Sequence, residues 1–264
     1  MMLYTGLDCH ENGKFEDAFT WFTKGAALGQ SESIAELADY YYHFYDAKAL
    51  RSTIPYDPVK AIGLYRRAAT KQFSDAGYTA LQAAFGYIFH IGHLPLDWGL
   101  IADLTHMAAT KDRFIFALPY IGYMRIHGLG VTKNIRFGVQ SLLRVLDEEQ
   151  RAFEEENRVL FYDITRALTR VALGYAYEKG YVTGKPDLDQ AVSYYEQSHQ
   201  YILSHKANLD PELKDIPIDD EAEERLAAFE EVDGHWQYKE GIAESTTTVR
   251  PAPTTCLKIR PVYL

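Results

Sequence analysis

Two short stretches of this chain nearly repeat each other: Ile121-Gly122-Tyr123-Met124-Arg125-Ile126-His127-Gly128 and Leu173-Gly174-Tyr175-Ala176-Tyr177-Glu178-Lys179-Gly180. Each begins apolar-Gly-Tyr and places a second Gly seven residues after the apolar one. Six or seven residues past that Gly, a polar residue, Asn134 or Asp187, opens a new apolar helical pattern. A motif that returns with its context marks a structural repeat, and a repeat constrains architecture more tightly than composition does. It names no reaction.

The apolar-small pair has two further copies, Leu37-Ala38 and Phe85-Gly86, and the polar opener recurs at Asp57 and Asp97. Lys14 takes the opener's place in an N-terminal copy whose first helix reads as mostly missing. Four residues after the openers stand Ala18, Ala61, Ile101, Gly138 and Ala191, and the eighth positions hold Phe22, Tyr65, Thr105, Leu142 and Tyr195. Further apolar or small residues return at offsets 11 and 12, which completes the stripe of an amphipathic helix. Asp57, Asp97 and Asp187 are placed to cap those helices, because a carboxylate oxygen there satisfies orphan amides of the first turn. Each unit is therefore a pair of antiparallel helices that buries its apolar faces only against a neighbouring unit. Opener-to-opener distances of 43, 40, 37 and 53 residues imply insertions in at least two units.

This pattern resembles the Sel1-like repeat family, relatives of the tetratricopeptide repeats. Gly128-Leu129-Gly130-Val131 matches the family's helix-A ending closely, and Gly180-Tyr181-Val182 matches it in part. The helix-B signature is met by Ala18, Trp21-Phe22, Ala26 and Gly29, and again by Asp57, Ala61, Tyr65 and Ala68-Ala69. The resemblance covers roughly residues 5 to 205 and implies an all-α fold, a right-handed superhelical solenoid of antiparallel helix pairs with an irregular C-terminal segment. The chain departs from the family in a long loop at 45–56, a charged insert near 147–166, and everything after about 206. Three regions follow: 1–205 as a solenoid of about five units with the first truncated, 206–243 as an acidic helical capping segment, and 244–264 as an extended tail.

A formal net charge of −10 and the lack of any Lys/Arg cluster argue against nucleic-acid binding. The same charge suits a basic protein partner through electrostatic steering. Two cysteines, Cys9 and Cys256, are too few and too separated for a disulfide framework, so a reducing, cytoplasmic setting is expected. No basic-then-apolar leader opens the chain and no apolar run reaches the ~18–20 residues that span a bilayer, so no membrane partner is expected. Between Asn208 and Asp233 eleven acidic residues face only Lys214 and Arg225. There Asp219 to Val232 reads as a helix with Ala222, Leu226 and Phe229 on one face, suited to capping the solenoid. The proline-punctuated tail ends apolar in Val262-Tyr263-Leu264, which favours docking over a free arm.

No catalytic constellation is assembled, and neither a metal site nor a cofactor is expected. The H-x-x-H of His90 and His93 straddles a helix end, and Cys9-His10 diverge by about 100° on a helix. The acidic run Asp147-Glu148-Glu149 and Glu154-Glu155-Glu156 reads as a solvated helix face. Signatures for a nucleophile elbow, a P-loop, a dinucleotide fold and a zinc protease are all missing from the sequence. The resemblance instead implies a binding face. In helical-hairpin repeats the helix-A side chains two, five and six positions after the signature residue face the concave groove. Here those positions hold Asp39, Tyr87, Tyr123 and Tyr175; Tyr42, His90 and Glu178; and His43 and His127. Tyrosine and histidine in such a column suit protein recognition, although tyrosines that pack between units would recur in the same way.

The expected function is a non-enzymatic scaffold that captures a partner protein or peptide in its concave face. Charge and the lack of other domains leave open an immunity-type protein that neutralises a bacterial toxin. A hydrolase-like enzyme with a groove site lacks a nucleophile–base pair, and a self-associating structural module remains a further alternative.

Overall fold

The structure is a computed structural model and describes residues 1–42, 50, 53–88, 94–111, 115–153, 161–208, 221–240 and 242. The chain divides into two compact units, Met1–Phe114 and Ile115–Leu257. The first holds α1 (Met2–Glu11), α2 (Phe15–Ala27), α3 (Ser31–Tyr42), α4 (Pro58–Ala69), α5 (Ala76–Ile88) and α6 (Trp98–Lys111). The second holds a 3₁₀ turn (Ile115–Ala117), α7 (Leu118–His127), α8 (Ile135–Phe153), α9 (Phe161–Glu178), α10 (Leu188–Asn208) and α11 (Glu221–Leu226). It closes with an antiparallel hairpin of β1 (Phe229–Val232) and β2 (His235–Tyr238). Within each unit consecutive helices pack in antiparallel pairs, and first helices also pack on the next first helix, α1 on α3 and α7 on α9. The fold is all-α, as the repeat pattern predicts.

The repeat is written into the backbone as well as the sequence. The opener's amide donates to the carbonyl four residues after the signature position: Asp57 N–H to Tyr41 at 3.0 Å, Asn134 N–H to Arg125 at 2.8 Å, and Asp187 N–H to Tyr177 at 3.1 Å. Asp57, Asp97, Asn134 and Asp187 each accept, through a side-chain oxygen, an amide of the first helical turn at 3.0 Å. Lys14 cannot accept such a bond and makes none, yet its amide donates to the Cys9 carbonyl at 2.8 Å. Counting back four residues makes Thr5-Gly6 the signature pair of the first copy. Its first helix is therefore present, and α1 is as long as α7, contrary to the truncation read from sequence. The threonine in the apolar slot hid it.

The small residue of the signature exists because the eighth residue of the partner helix lies against it. A Cβ added at Gly6 would stand 2.5 Å from the Phe22 ring, at Gly122 2.8 Å from Leu142, and at Gly174 2.6 Å from the Tyr195 ring. Phe22, Leu142 and Tyr195 are fully buried, and burying a Phe or Leu side chain contributes about 1.5–3 kcal/mol. Gly128 ends α7 in the left-handed conformation, with its own amide and that of Leu129 both donating to Met124.

Two sequence expectations fail here. The helix read over Asp219–Val232 stops at Leu226, and a hairpin follows. Asp233 and Gly234 both have positive φ, 54° and 81°, the conformation of a two-residue type I′ turn, for which Asp-Gly between apolar runs is the strongest short signal. The acidic run is not wholly solvated either: Glu149 is mostly buried and pairs with Arg166 at 2.6 Å and with Arg170. Glu154–Glu156, most of the 45–56 loop and the 244–264 tail lie outside the described residues.

Candidate functional site

The predicted helix-A column separates once its members are placed. In the first unit Asp39 and Tyr42 are buried, and Asp39 accepts a hydrogen bond from the Tyr65 hydroxyl. Neither offers surface to a partner. Tyr87 is partly exposed and lies 3.4 Å from the Arg66 guanidinium. His43 and His90 lie outside the described residues. Cys9 is a half-buried thiol, and its neighbour His10 meets the Tyr40 hydroxyl at 2.7 Å. Burial, partly opposed by Glu11, holds the His10 imidazole below its ordinary pKa.

In the second unit the column comes together. α7 carries Tyr123 and His127 one turn apart, and α9 packs beside it with Tyr175 and Glu178. The His127 ring lies between two tyrosines, 4.5 Å from Tyr123 and 4.6 Å from Tyr175, centroid to centroid. Its Nε2 is buried with no hydrogen-bond partner among the described residues. Burial first, then the nearby charges of Arg225 and Lys133, push the His127 pKa down to about 4, so the ring is neutral at pH 7.

Glu178 ends α9 with its carboxylate fully buried. Oε2 accepts from the Tyr195 hydroxyl at 2.7 Å and from Arg225 Nη1 at 3.3 Å. Oε1 accepts from the Tyr238 hydroxyl at 2.8 Å and pairs with Lys179 Nζ at 2.7 Å. Burial alone raises a carboxyl pKa, but the bonds from Lys179 and Tyr195 and the Arg225 charge outweigh it and hold Glu178 below its ordinary value. Arg225 comes from α11, is only 4% exposed, and also meets Glu221 one turn earlier at 3.2 Å. Its guanidinium stands 4.8 Å from the Tyr175 ring centroid and 5.8 Å from that of Tyr195, within cation–π range. The Tyr123 hydroxyl donates to Glu221 at 3.3 Å. Burial, then the Glu221 charge, raises the Tyr123 pKa above its ordinary value.

So the face predicted to meet a partner already meets a helix, the chain's own α11. Arg225, Glu221, Tyr195 and Tyr238 complete the site; sequence reasoning met Tyr195 as a stripe residue and Arg225 as one of two basic residues in the acidic stretch, and gave none of the four a role in the site. A signal for Arg225 existed: a lone arginine in an acidic stretch, three residues after Ala222 and beside Leu226 on the apolar face. The hairpin is held to α10 by Asp189, which accepts from the Trp236 amide at 2.8 Å and from His235 Nδ1 at 2.9 Å.

Nothing in this arrangement pairs a nucleophile with a base. Among the described residues no group of three or more His, Cys, Asp or Glu side chains is placed to hold a metal ion. No helix among them is long and apolar enough to cross a membrane.

The Sel1 repeat family model matches residues 1–30, 31–73, 118–140 and 165–198. Proteins built of this repeat generally act as non-enzymatic scaffolds for protein–protein interaction. The crystal structure of a Sel1 repeat protein from Oxalobacter formigenes is 20% identical, with a TM-score of 0.49, over 76% of this chain and 72% of that one. A protective antigen of uropathogenic Escherichia coli strains, displaying an SLR fold, is 16% identical with a TM-score of 0.35, over 79% of this chain. The match takes in 55% of that antigen's length. No curated protein matches the sequence.

Proposed function

The chain belongs to the Sel1-like repeat family, and on that premise we propose that it is a non-enzymatic scaffold that binds a segment of a partner protein along the helix-A face of its second unit. The observation that carries this reading is the seating of α11 on that face. Tyr123, Tyr175 and Glu178 there grip a helix through one arginine and one glutamate. Tyrosine rings flanking a buried carboxylate are the composition of an interaction hot spot, since they supply contact area and a charge anchor at little entropic cost. The net charge of −10 favours a partner segment that carries basic residues, by steering its approach.

The test is affinity capture from native lysate with wild-type chain and with Tyr175→Ala as baits. Tyr175 is only half-buried, so its truncation is expected to leave the helical fold intact. A stoichiometric partner held by the wild type, lost with Tyr175→Ala and weakened in about 0.5 M salt supports the proposal. A partner retained equally by both baits, or none at all, refutes it.

A further inference from the structure

α11 is six residues long, and its Glu221 and Arg225 side chains reach Tyr123 and Glu178 of the unit. They stand four apart on one helix face, so any helix with an acidic residue four positions before an arginine presents the same pair. The receiving side is organised largely without α11. The Tyr195 hydroxyl from α10, the Tyr238 hydroxyl from β2 and Lys179 hold the Glu178 carboxylate in place, and Tyr175 stands beside it. Lys179 and Tyr238 take up Oε1, which leaves Oε2, beside the Tyr195 hydroxyl, for a further donor, and a cationic donor there makes a stronger hydrogen bond than a neutral one.

Resting on the scaffold reading, we infer that α11 is an exchangeable self-ligand: it fills the binding face in cis, and a partner helix with the same Glu-x-x-x-Arg spacing competes with it. The chemistry of the contact suits exchange. Desolvation of the charged groups offsets much of their mutual attraction, so the grip is selective for matching charge and geometry while its net strength stays modest. The partner face is thereby covered until a better-matched helix arrives, and the apparent affinity of that helix falls by the fraction of molecules in which α11 is seated. Opposing this, Ala222 and Phe229 bury themselves against Val171, Val192 and Tyr195, which is what a permanent end cap would also do.

A labelled peptide of residues 219–228, which carries α11 without the hairpin, separates the two. It is titrated by fluorescence anisotropy into the full chain and into full-length Arg225→Ala. The variant's own α11 competes less well, so it should bind the peptide at least about tenfold more tightly than the wild type does. A peptide carrying the same Arg225→Ala substitution should lose that binding. No saturable binding to either chain, or binding indifferent to the peptide's arginine, overturns the inference. Collapse of the variant's helical circular dichroism overturns it too, since a contact the fold cannot do without is not exchangeable. Partner capture by the wild type that the peptide cannot compete would sink the exchange and spare the scaffold. Peptide exchange with no partner captured would do the reverse.

Discussion

His127 makes the second unit sensitive to acid in a window that can be worked out. In the folded chain its pKa is about 4 against an ordinary 6.5. Above 6.5 the ring is neutral in both states and its contribution to stability is full. As pH falls below 6.5 the unfolded chain takes up a proton that the folded chain refuses, and stability is lost until the folded ring also protonates near pH 4. At 1.36 kcal/mol per unit, the loss across that window is about 3 kcal/mol. The groups that oppose the proton are Arg225 on α11 and Lys133 in the α7–α8 turn, while Tyr123 and Tyr175 enclose the ring. Glu178 enters only at the lower edge: its folded pKa lies below the ordinary 4.5, so its contribution is full above that value and begins to be lost as pH falls through it. Other carboxylates titrate near the lower edge, so the comparison is with His127→Phe, which keeps a ring between the tyrosines and cannot take a proton. Hydrogen exchange read by mass spectrometry on peptides from α7 and α9 reports opening of this unit itself. Between about pH 7 and pH 4 the wild type should lose about 3 kcal/mol more protection than the variant. Parallel profiles for the two would refute the reasoning.

Two further outcomes follow from packing. A Cβ at Gly138 would meet the Gly122 carbonyl oxygen and Ile126 Cγ1, each at 2.8 Å, so Gly138→Ala must push α7 from α8. The overpacking cost of about 1–3 kcal/mol should exceed the gain of up to about 1 kcal/mol in helix propensity, and a melt with a raised Tm would contradict it. Glu149→Ala would leave the mostly buried Arg166 and Arg170 without their shared carboxylate, an expected loss of about 3 kcal/mol by urea unfolding; a change below about 0.5 kcal/mol would show the cluster to be solvated after all.

The repeat was readable because its cause is local. A capping aspartate, a glycine at a helix end and a small residue under a bulky one leave marks at fixed spacing, so the openers Asp57, Asp97, Asn134 and Asp187 are all found capping their helices. Reading failed where a local rule was passed over or a residue type misled. Asp233-Gly234 announces a hairpin that an acidic, alanine-bearing stretch disguised as helix, and Thr5 in an apolar slot concealed α1.

By itself, then, the sequence determined the helix pairs, their order and the close crossings at Gly122 and Gly174. Tertiary structure alone decided the fate of the predicted binding column. The family resemblance places Tyr123, His127, Tyr175 and Glu178 on one face but cannot say what covers it. The cover comes from Arg225, 47 residues beyond Glu178, which reaches the carboxylate by a contact between elements that no local spacing encodes.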